Sequence, residues 1–369
     1  MEPSGVEPRL SSYLHAKACR DGTPLAGNFE ITPRCNFNCR MCYVHLTEEQ
    51  QRARGSELSA DEWLAIAEKA RAQGMLFLLL TGGEPLMRQD LRYLLTELKK
   101  MGLLISINSN GSLINDEWLE FFRREPPFRF NITLYGCSDR SYRELCGNPA
   151  YEKVISNIRE LKKMGIGVKL NASMTPYNIC DLERIYETSE SLGAPVQVAT
   201  YMFPPTRRDE KSVGKNDRFT PAEAAGYSVM WDRLRLSPEQ FKMRAEAMAR
   251  GAEIPGGEAG EGTPGEKISC RAGRSSFWIN WRGDMTPCGM MNSPVFSVRE
   301  LGFDEAWKRT KEATAEIRMP SECASCGMKH VCRVCAAMCV TETGRFDRRP
   351  EYICEMTRET VRLTIQEKD

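Results

Sequence analysis

Residues 28–43 read NFEITPRCNFNCRMCY. A strand-like run, NFEIT (28–32), passes directly into a loop holding Cys35, Cys39 and Cys42 in the spacing C-x3-C-x2-C. A strand that feeds a chemically loaded loop is the first half of a βα unit, and the rest of the chain repeats that unit. Strand-like runs recur as LFLLLT (76–81), LISINS (104–109), FNITLY (130–135), GVKLNAS (167–173) and VQVATYMF (196–203). Most are apolar nearly throughout, as the strands of a covered parallel sheet are.

Helical patterns lie between them. SADEWLAIAEKARAQG (59–74) opens on a Ser59 cap with acids in the first turn, spaces Trp63, Ile66, Ala67 and Ala70 along one face, and stops at Gly74. YEKVISNIRELKKMG (151–165) repeats the plan with Val154, Ile158 and Leu161, basic residues in its last turn, and Gly165. Six βα units predict an α/β chain: a partial (β/α)6 TIM-like barrel with its chemistry on the loops after the strand C-termini. Periodicity alone leaves an open doubly wound sheet as the alternative.

Composition narrows the function. The 369 residues are 41% hydrophobic and carry a net charge of +1, so nothing favours nucleic acid or an anionic membrane as a bulk partner. The longest apolar run, MLFLLL (75–80), is far too short to span a bilayer, and the acidic, Pro-rich start MEPSGVEPRL is no secretory signal. A cytoplasmic protein is expected. Fifteen cysteines are out of place there unless they have a task, since disulfides are rare in that compartment. Their clustering, three in 35–42 and six in 323–354, points to metal ligation. Segment 251–267, GAEIPGGEAGEGTPGEK, reads as a linker or mobile loop. The expected organisation is an N-terminal extension (1–27), the barrel and following helices (28–250), that linker, and a Cys-rich domain (268–369) stapled by metal.

Three thiolates leave one iron of a [4Fe–4S] cluster open, which is useful only if something else must bind there. Zinc wants four ligands, and His45 follows Cys42 by two intervening residues, so spacing alone leaves both metals possible. The next strand ends in LLLTGGEP, with Gly82, Gly83 and Glu84 on the same face as the cysteines. Two glycines let a ligand approach the backbone, and a carboxylate there can pair with an ammonium.

With C-x3-C-x2-C one βα unit before GGEP, residues 28–203 resemble the radical S-adenosylmethionine (SAM) superfamily. The resemblance implies that Cys35, Cys39 and Cys42 hold a [4Fe–4S] cluster whose fourth iron chelates SAM. It also implies that Glu84 lies in the segment binding the methionine amine, and that Met41, where the family often has an aromatic, lies near adenine. By the same resemblance SINSNG (106–111) and NITLYG (131–136) supply ribose and carboxylate contacts, with Ser106, Asn108 and Thr133 the nearest candidates.

A second resemblance covers the C-terminal cysteines. Cys270 and Cys288 bracket Gly283 as C-x12-G-x4-C, Cys323, Cys326 and Cys332 form C-x2-C-x5-C, and Cys354 stands downstream. This is similar to the SPASM extension of radical SAM enzymes, which carries two auxiliary [4Fe–4S] clusters and would bring the total to three. The pattern implies Cys323, Cys326, Cys332 and Cys354 for one cluster, and Cys270 and Cys288 for the other. The family's next cysteine would fall on Ala336; this chain has Cys335 and Cys339, which together complete a second set of four.

The resemblance implies reductive cleavage of SAM to a 5′-deoxyadenosyl radical and oxidation of a substrate. The expected substrate is a ribosomally made peptide that acquires a thioether or C–C crosslink. Small-molecule dehydrogenation, peptide epimerisation and formylglycine formation belong to the same superfamily. The last is disfavoured because Gly289 stands where sulfatase maturases carry an Asp. Cys137, after the fourth strand, is the candidate hydrogen-atom donor for an epimerase. An external one-electron donor of flavodoxin or ferredoxin type is implied. With about 27 residues before the first strand, too few for a leader-gripping winged-helix domain, any leader is expected to be recognised otherwise or by a separate protein. An electron carrier or zinc module would have no use for an open three-Cys site beside GGEP.

Overall fold

The computed structural model describes residues 10–251 and 267–367. The bulk of segment 251–267, read above as a linker, therefore lies outside the described residues. Helix α1 (Leu10–Asp21) precedes β1 (Ala26–Glu30). Then follow α2 (Glu48–Arg54), α3 (Ala60–Ala72), β2 (Phe77–Thr81), α4 (Leu91–Lys100), β3 (Leu104–Ser109), α5 (Asp116–Arg124) and β4 (Arg129–Thr133). Next come α6 (Asp139–Cys146), α7 (Tyr151–Lys163), β5 (Gly167–Ser173), α8 (Leu182–Leu192), β6 (Val196–Ala199), α9 (Pro221–Arg235) and α10 (Pro238–Ala249). The C-terminal part holds β7 (Ser276–Ile279), β8 (Asp284–Thr286), β9 (Phe296–Ser297), α11 (Val298–Glu316), α12 (Ser321–Ala324), α13 (Ala336–Thr343) and α14 (Glu351–Gln366).

The strands form one sheet in the order β6-β5-β4-β3-β2-β1-β7-β8-β9, with β1 to β6 parallel to their neighbours. That is the succession six βα units require. β7 adds to the free edge of β1 in parallel, pairing Ala26 to Phe29 with Ser276 to Ile279, before β8 and β9 fold back antiparallel. The cysteine-rich segment thus continues the barrel sheet.

Alternate residues of each strand enter the helical layer. Phe29, Leu78, Leu80, Ile105, Ile107, Phe130, Ile132 and Leu170 join one core with Trp63, Ile66, Ala67 and Ala70 of α3 and Val154, Ile158 and Leu161 of α7. The helix faces read from the sequence are the faces buried. The opposite strand positions line the barrel interior and turn polar toward the strand C-termini. Register aligns Glu30, Thr81, Asn108, Asn131 and Lys169 in one layer across it. Among the described residues no helix is long and apolar enough to cross a membrane.

Candidate functional site

The three-cysteine loop leaves β1 at its C-terminal end and is clamped on two sides. On one side the N–H groups of Gly83 and Glu84 donate to the carbonyls of Thr32 and Arg34, both at 2.8 Å. On the other, Asn38 N–H donates to Cys146 O (3.0 Å) and Arg40 N–H to Leu145 O (3.1 Å), at the end of α6. This explains the paired glycines. A Cβ on Gly82 would lie 2.4 Å from Thr32 O, and one on Gly83 would lie 2.2 Å from Arg34 O. The glycines let two backbones meet.

Donors point at the sulfurs. Cys35 Sγ accepts from Phe37 N–H (3.4 Å) and lies 3.9 Å from Asn110 Nδ2; Cys42 Sγ accepts from Val44 N–H (3.4 Å) and His45 N–H (3.2 Å). Hydrogen bonds of this kind stabilise thiolates bound to iron–sulfur clusters. Burial pushes the Cys35 thiol up to about 12 and raises those of Cys39 and Cys42, Cys39 more through its contact with Cys146 than through burial. A metal that displaces the protons reverses that preference.

The Glu84 carboxylate is engaged by the protein's own donors. Its side chain is fully buried and accepts from Ser109 Oγ (2.9 Å), Asn110 N–H (2.7 Å) and Leu86 N–H (3.2 Å). Burial outweighs these donors and pushes its pKa up to about 7. The carboxylate ties the end of β3 to the GGEP turn. Met41 packs on the main core. Thr133 stands at the mouth end of β4, Asn108 one layer deeper and Ser106 two layers deeper. Asn108 accepts from Asn131 Nδ2 at 2.7 Å and reaches Thr81 Oγ1 at 3.5 Å, so it braces its own layer.

Cys137 faces away from the interior. It is buried among Ala172, Leu182 and Ile185 on the helical side of the sheet, with its sulfur 3.8 Å from Thr188 Oγ1. The outer strand residue Ala172 and helix α8 enclose it.

In the C-terminal part, Cys323, Cys326, Cys332 and Cys354 line one recess together with Met328, Val334 and Thr357. Met328 N–H donates to Cys326 Sγ (3.4 Å), and Thr357 Oγ1 to Cys332 Sγ (3.5 Å). Cys335 has Cys288 and Cys270 as charge neighbours, and Met290 N–H donates to Cys288 Sγ at 3.5 Å. Cys339, fully buried one helical turn beyond Cys335, neighbours both Cys335 and the Cys323–Cys332–Cys354 group. Among the described residues no three His, Cys, Asp or Glu side chains draw together closely enough to hold a single metal ion. What fits an iron–sulfur cluster is the donor chemistry: soft thiols gathered in groups, with N–H and O–H groups aimed at sulfur.

Between the two cysteine regions lies a group the sequence reading missed. Arg207, in the loop after β6, makes a two-point ion pair with Glu30 (2.8 and 3.0 Å) and donates to Gly289 O at 2.8 Å, next to Cys288. Trp278 Nε1 also donates to Glu30 (3.0 Å), and the guanidinium lies 5.8 Å from the ring of Tyr43, the residue after Cys42. A cavity lined by Glu30, Tyr43, Arg207, Met291 and Asn292 opens here, with Arg54 and the exposed Val295 at its rim. The available signal was Glu30, an acid within an otherwise apolar strand at a position facing the interior.

The comparisons with known proteins agree with this geometry. A model of the radical SAM superfamily matches residues 29–188, and one of an iron–sulfur cluster-binding domain, SPASM, matches residues 270–336. The AdoMet-dependent heme synthase of Methanosarcina barkeri is 26% identical over 340 residues, covering 88% of this chain and 94% of its own. Streptococcus suis SuiB bound to the precursor peptide SuiA shares the fold at TM-score 0.66 and 17% identity, over 96% of this chain and 84% of SuiB. The anSMEcpe structure with bound AdoMet and Cp18Cys peptide shares it at TM-score 0.67 and 14% identity, over 94% of this chain and 98% of that one.

Proposed function

We infer that this chain, which belongs to the radical SAM superfamily and carries a C-terminal SPASM domain, oxidatively modifies a ribosomally made peptide by forming a thioether or C–C crosslink. Cys35, Cys39 and Cys42 are assigned to the SAM-binding cluster. Cys323, Cys326, Cys332 and Cys354 are assigned to one auxiliary cluster, and Cys270, Cys288, Cys335 and Cys339 to the other. A [4Fe–4S] cluster and SAM held at these residues would supply the electron that cleaves SAM and the 5′-deoxyadenosyl radical that removes a hydrogen atom.

The observation that carries the reading is the cavity lined by both Tyr43, next to Cys42, and Met291, just beyond Cys288. A substrate seated there would lie between the two assigned cysteine regions, one for hydrogen abstraction and one to accept the electron left on it, which is what a net oxidation needs. The chain's own part is positional. The loop clamps fix the three cysteines, the GGEP backbone holds the cysteine loop, and Arg207 bridges the two regions through Glu30 and Gly289 O. A lining that includes the exposed Arg54 and Val295 suits an extended polypeptide, and both structural neighbours hold a bound peptide.

A second reading has its own support. The heme synthase similarity runs nearly the full length of both chains, which favours a small tetrapyrrole-type substrate in the same cavity. Two probes separate the readings: a peptide encoded beside the gene, and an iron porphyrin. Under SAM and dithionite, loss of two hydrogens from the peptide supports the peptide reading. A porphyrin Soret shift on binding, with no change in the peptide's mass, overturns it in favour of the tetrapyrrole.

A further inference from the structure

An oxidative crosslink leaves a proton to be placed. Two hydrogens depart from the peptide, one as an atom and the other as a proton and an electron. The electron has an acceptor in the reading above, and the proton has none. A base for it must line the substrate cavity, have a carboxylate free to take the proton, and be able to lose it again. The lining carries six charged side chains: Glu30, Arg54, Arg207, Glu210, Arg282 and Asp284. The three guanidiniums are permanently protonated and drop out.

Two of the three acids are already engaged. Both oxygens of Glu30 accept from Arg207, at 2.8 and 3.0 Å, and Trp278 Nε1 adds a third donor at 3.0 Å. A proton on Glu30 would strand the buried Arg207 cation without its partner. Asp284 is held by Arg282 (2.6 Å) and Asn280 Nδ2 (2.9 Å). No acid can stand beside Cys288 itself, because a Cβ on Gly289 would lie 2.7 Å from the Trp278 ring. Glu210 differs. It opens the short helical turn Glu210–Ser212, three residues after Arg207 on the same loop. Among the described residues its carboxylate has no ion pair and no hydrogen bond. It lines the cavity and is also exposed, so a proton taken from a substrate can pass on to water.

We propose that Glu210 is the general base of the oxidation, taking from the peptide the proton that leaves as the crosslink closes. For a thioether, the S–H bond breaks and its proton goes to the Glu210 carboxylate. The sulfur's electron pair forms the bond to the carbon that lost its hydrogen atom, and the one surplus electron passes to the acceptor assigned to the auxiliary cysteines. For a C–C link the same carboxylate takes the C–H proton. The inference rests on the peptide reading above.

The test compares wild type, Glu210→Gln and Glu210→Asp as reconstituted full-length proteins, given the peptide encoded beside the gene, SAM and dithionite. The readout is crosslinked peptide per 5′-deoxyadenosine released, with iron counted in each. Glu210→Gln should load as much iron as wild type and close the crosslink about a hundredfold more slowly, the low end of what a positioned base contributes. The yield per 5′-deoxyadenosine should fall with it. Glu210→Asp should keep part of the yield, and added acetate should restore part of it to Glu210→Gln, since the site opens to solvent. A Glu210→Gln variant with the wild-type yield overturns the proposal. So does a loss that neither aspartate nor acetate reverses, which would make the residue structural. A wild type that leaves the peptide's mass unchanged instead removes the peptide reading, and the inference with it.

Discussion

At Glu84 a carboxylate meets three donors and no water. Its folded pKa of about 7 lies above the ordinary 4.5, so the folded chain holds more protons than the unfolded one between those values. Stability therefore falls as pH rises from about 4.5 to about 7, by about 3 kcal/mol at most. Glu84→Gln removes the titration and should flatten the pH dependence of denaturant midpoints in that window; an unchanged slope would contradict the assignment. The motif was legible in the sequence, but the role of its acid was not. Ser109 and Asn110 lie 25 and 26 residues away, and only the parallel pairing of β2 with β3 brings them to it. Cys137 shows the same limit: its place after β4 was readable, but the side it packs on depends on α8.

At the scale of elements, the junction of the GGEP turn with the cysteine loop is the critical contact. Gly83→Ala puts a methyl 2.2 Å from Arg34 O, a backbone atom that can retreat only by moving the loop. The expected outcome is about four fewer irons per reconstituted chain, with the C-terminal cluster signals intact. Full iron loading of that variant would mean the loop is not held by this approach. Strand reading succeeded where the pattern was long: β3 and β5 match residue for residue. The sixth strand ends at Ala199, not at Phe203, because Pro204 and Pro205 follow and the chain turns into the loop that carries Arg207. β7 to β9 have four, three and two residues, too short for alternation to register in the sequence.

For the molecule as a whole, the decisive feature is how the two cysteine regions are joined. A change of composition near residue 268 reads as a domain boundary, yet β7 lies in the same sheet as β1. Two buried ion pairs reinforce the join. Arg207 with Glu30 ties the loop after β6 to β1, and Arg218 with Glu342 ties the segment before α9 to α13. Of these four residues only Glu30, an acid inside a strand, leaves a local trace in the sequence. Arg207→Ala strands the Glu30 carboxylate in a buried site and should cost about 3–5 kcal/mol in denaturant unfolding. Glu30→Gln in the same chain should recover part of that loss, and a single variant as stable as wild type would deny the pair its role.

Anaerobic reconstitution, with iron and sulfide counted per chain and SAM cleavage followed under dithionite, tests the reading of all these cysteines together. About twelve irons with 5′-deoxyadenosine released is the predicted result, one open cluster and two fully ligated ones. About four irons with zinc in the remainder would contradict it, since the C-terminal cysteines would then be structural and the oxidation would have no electron acceptor.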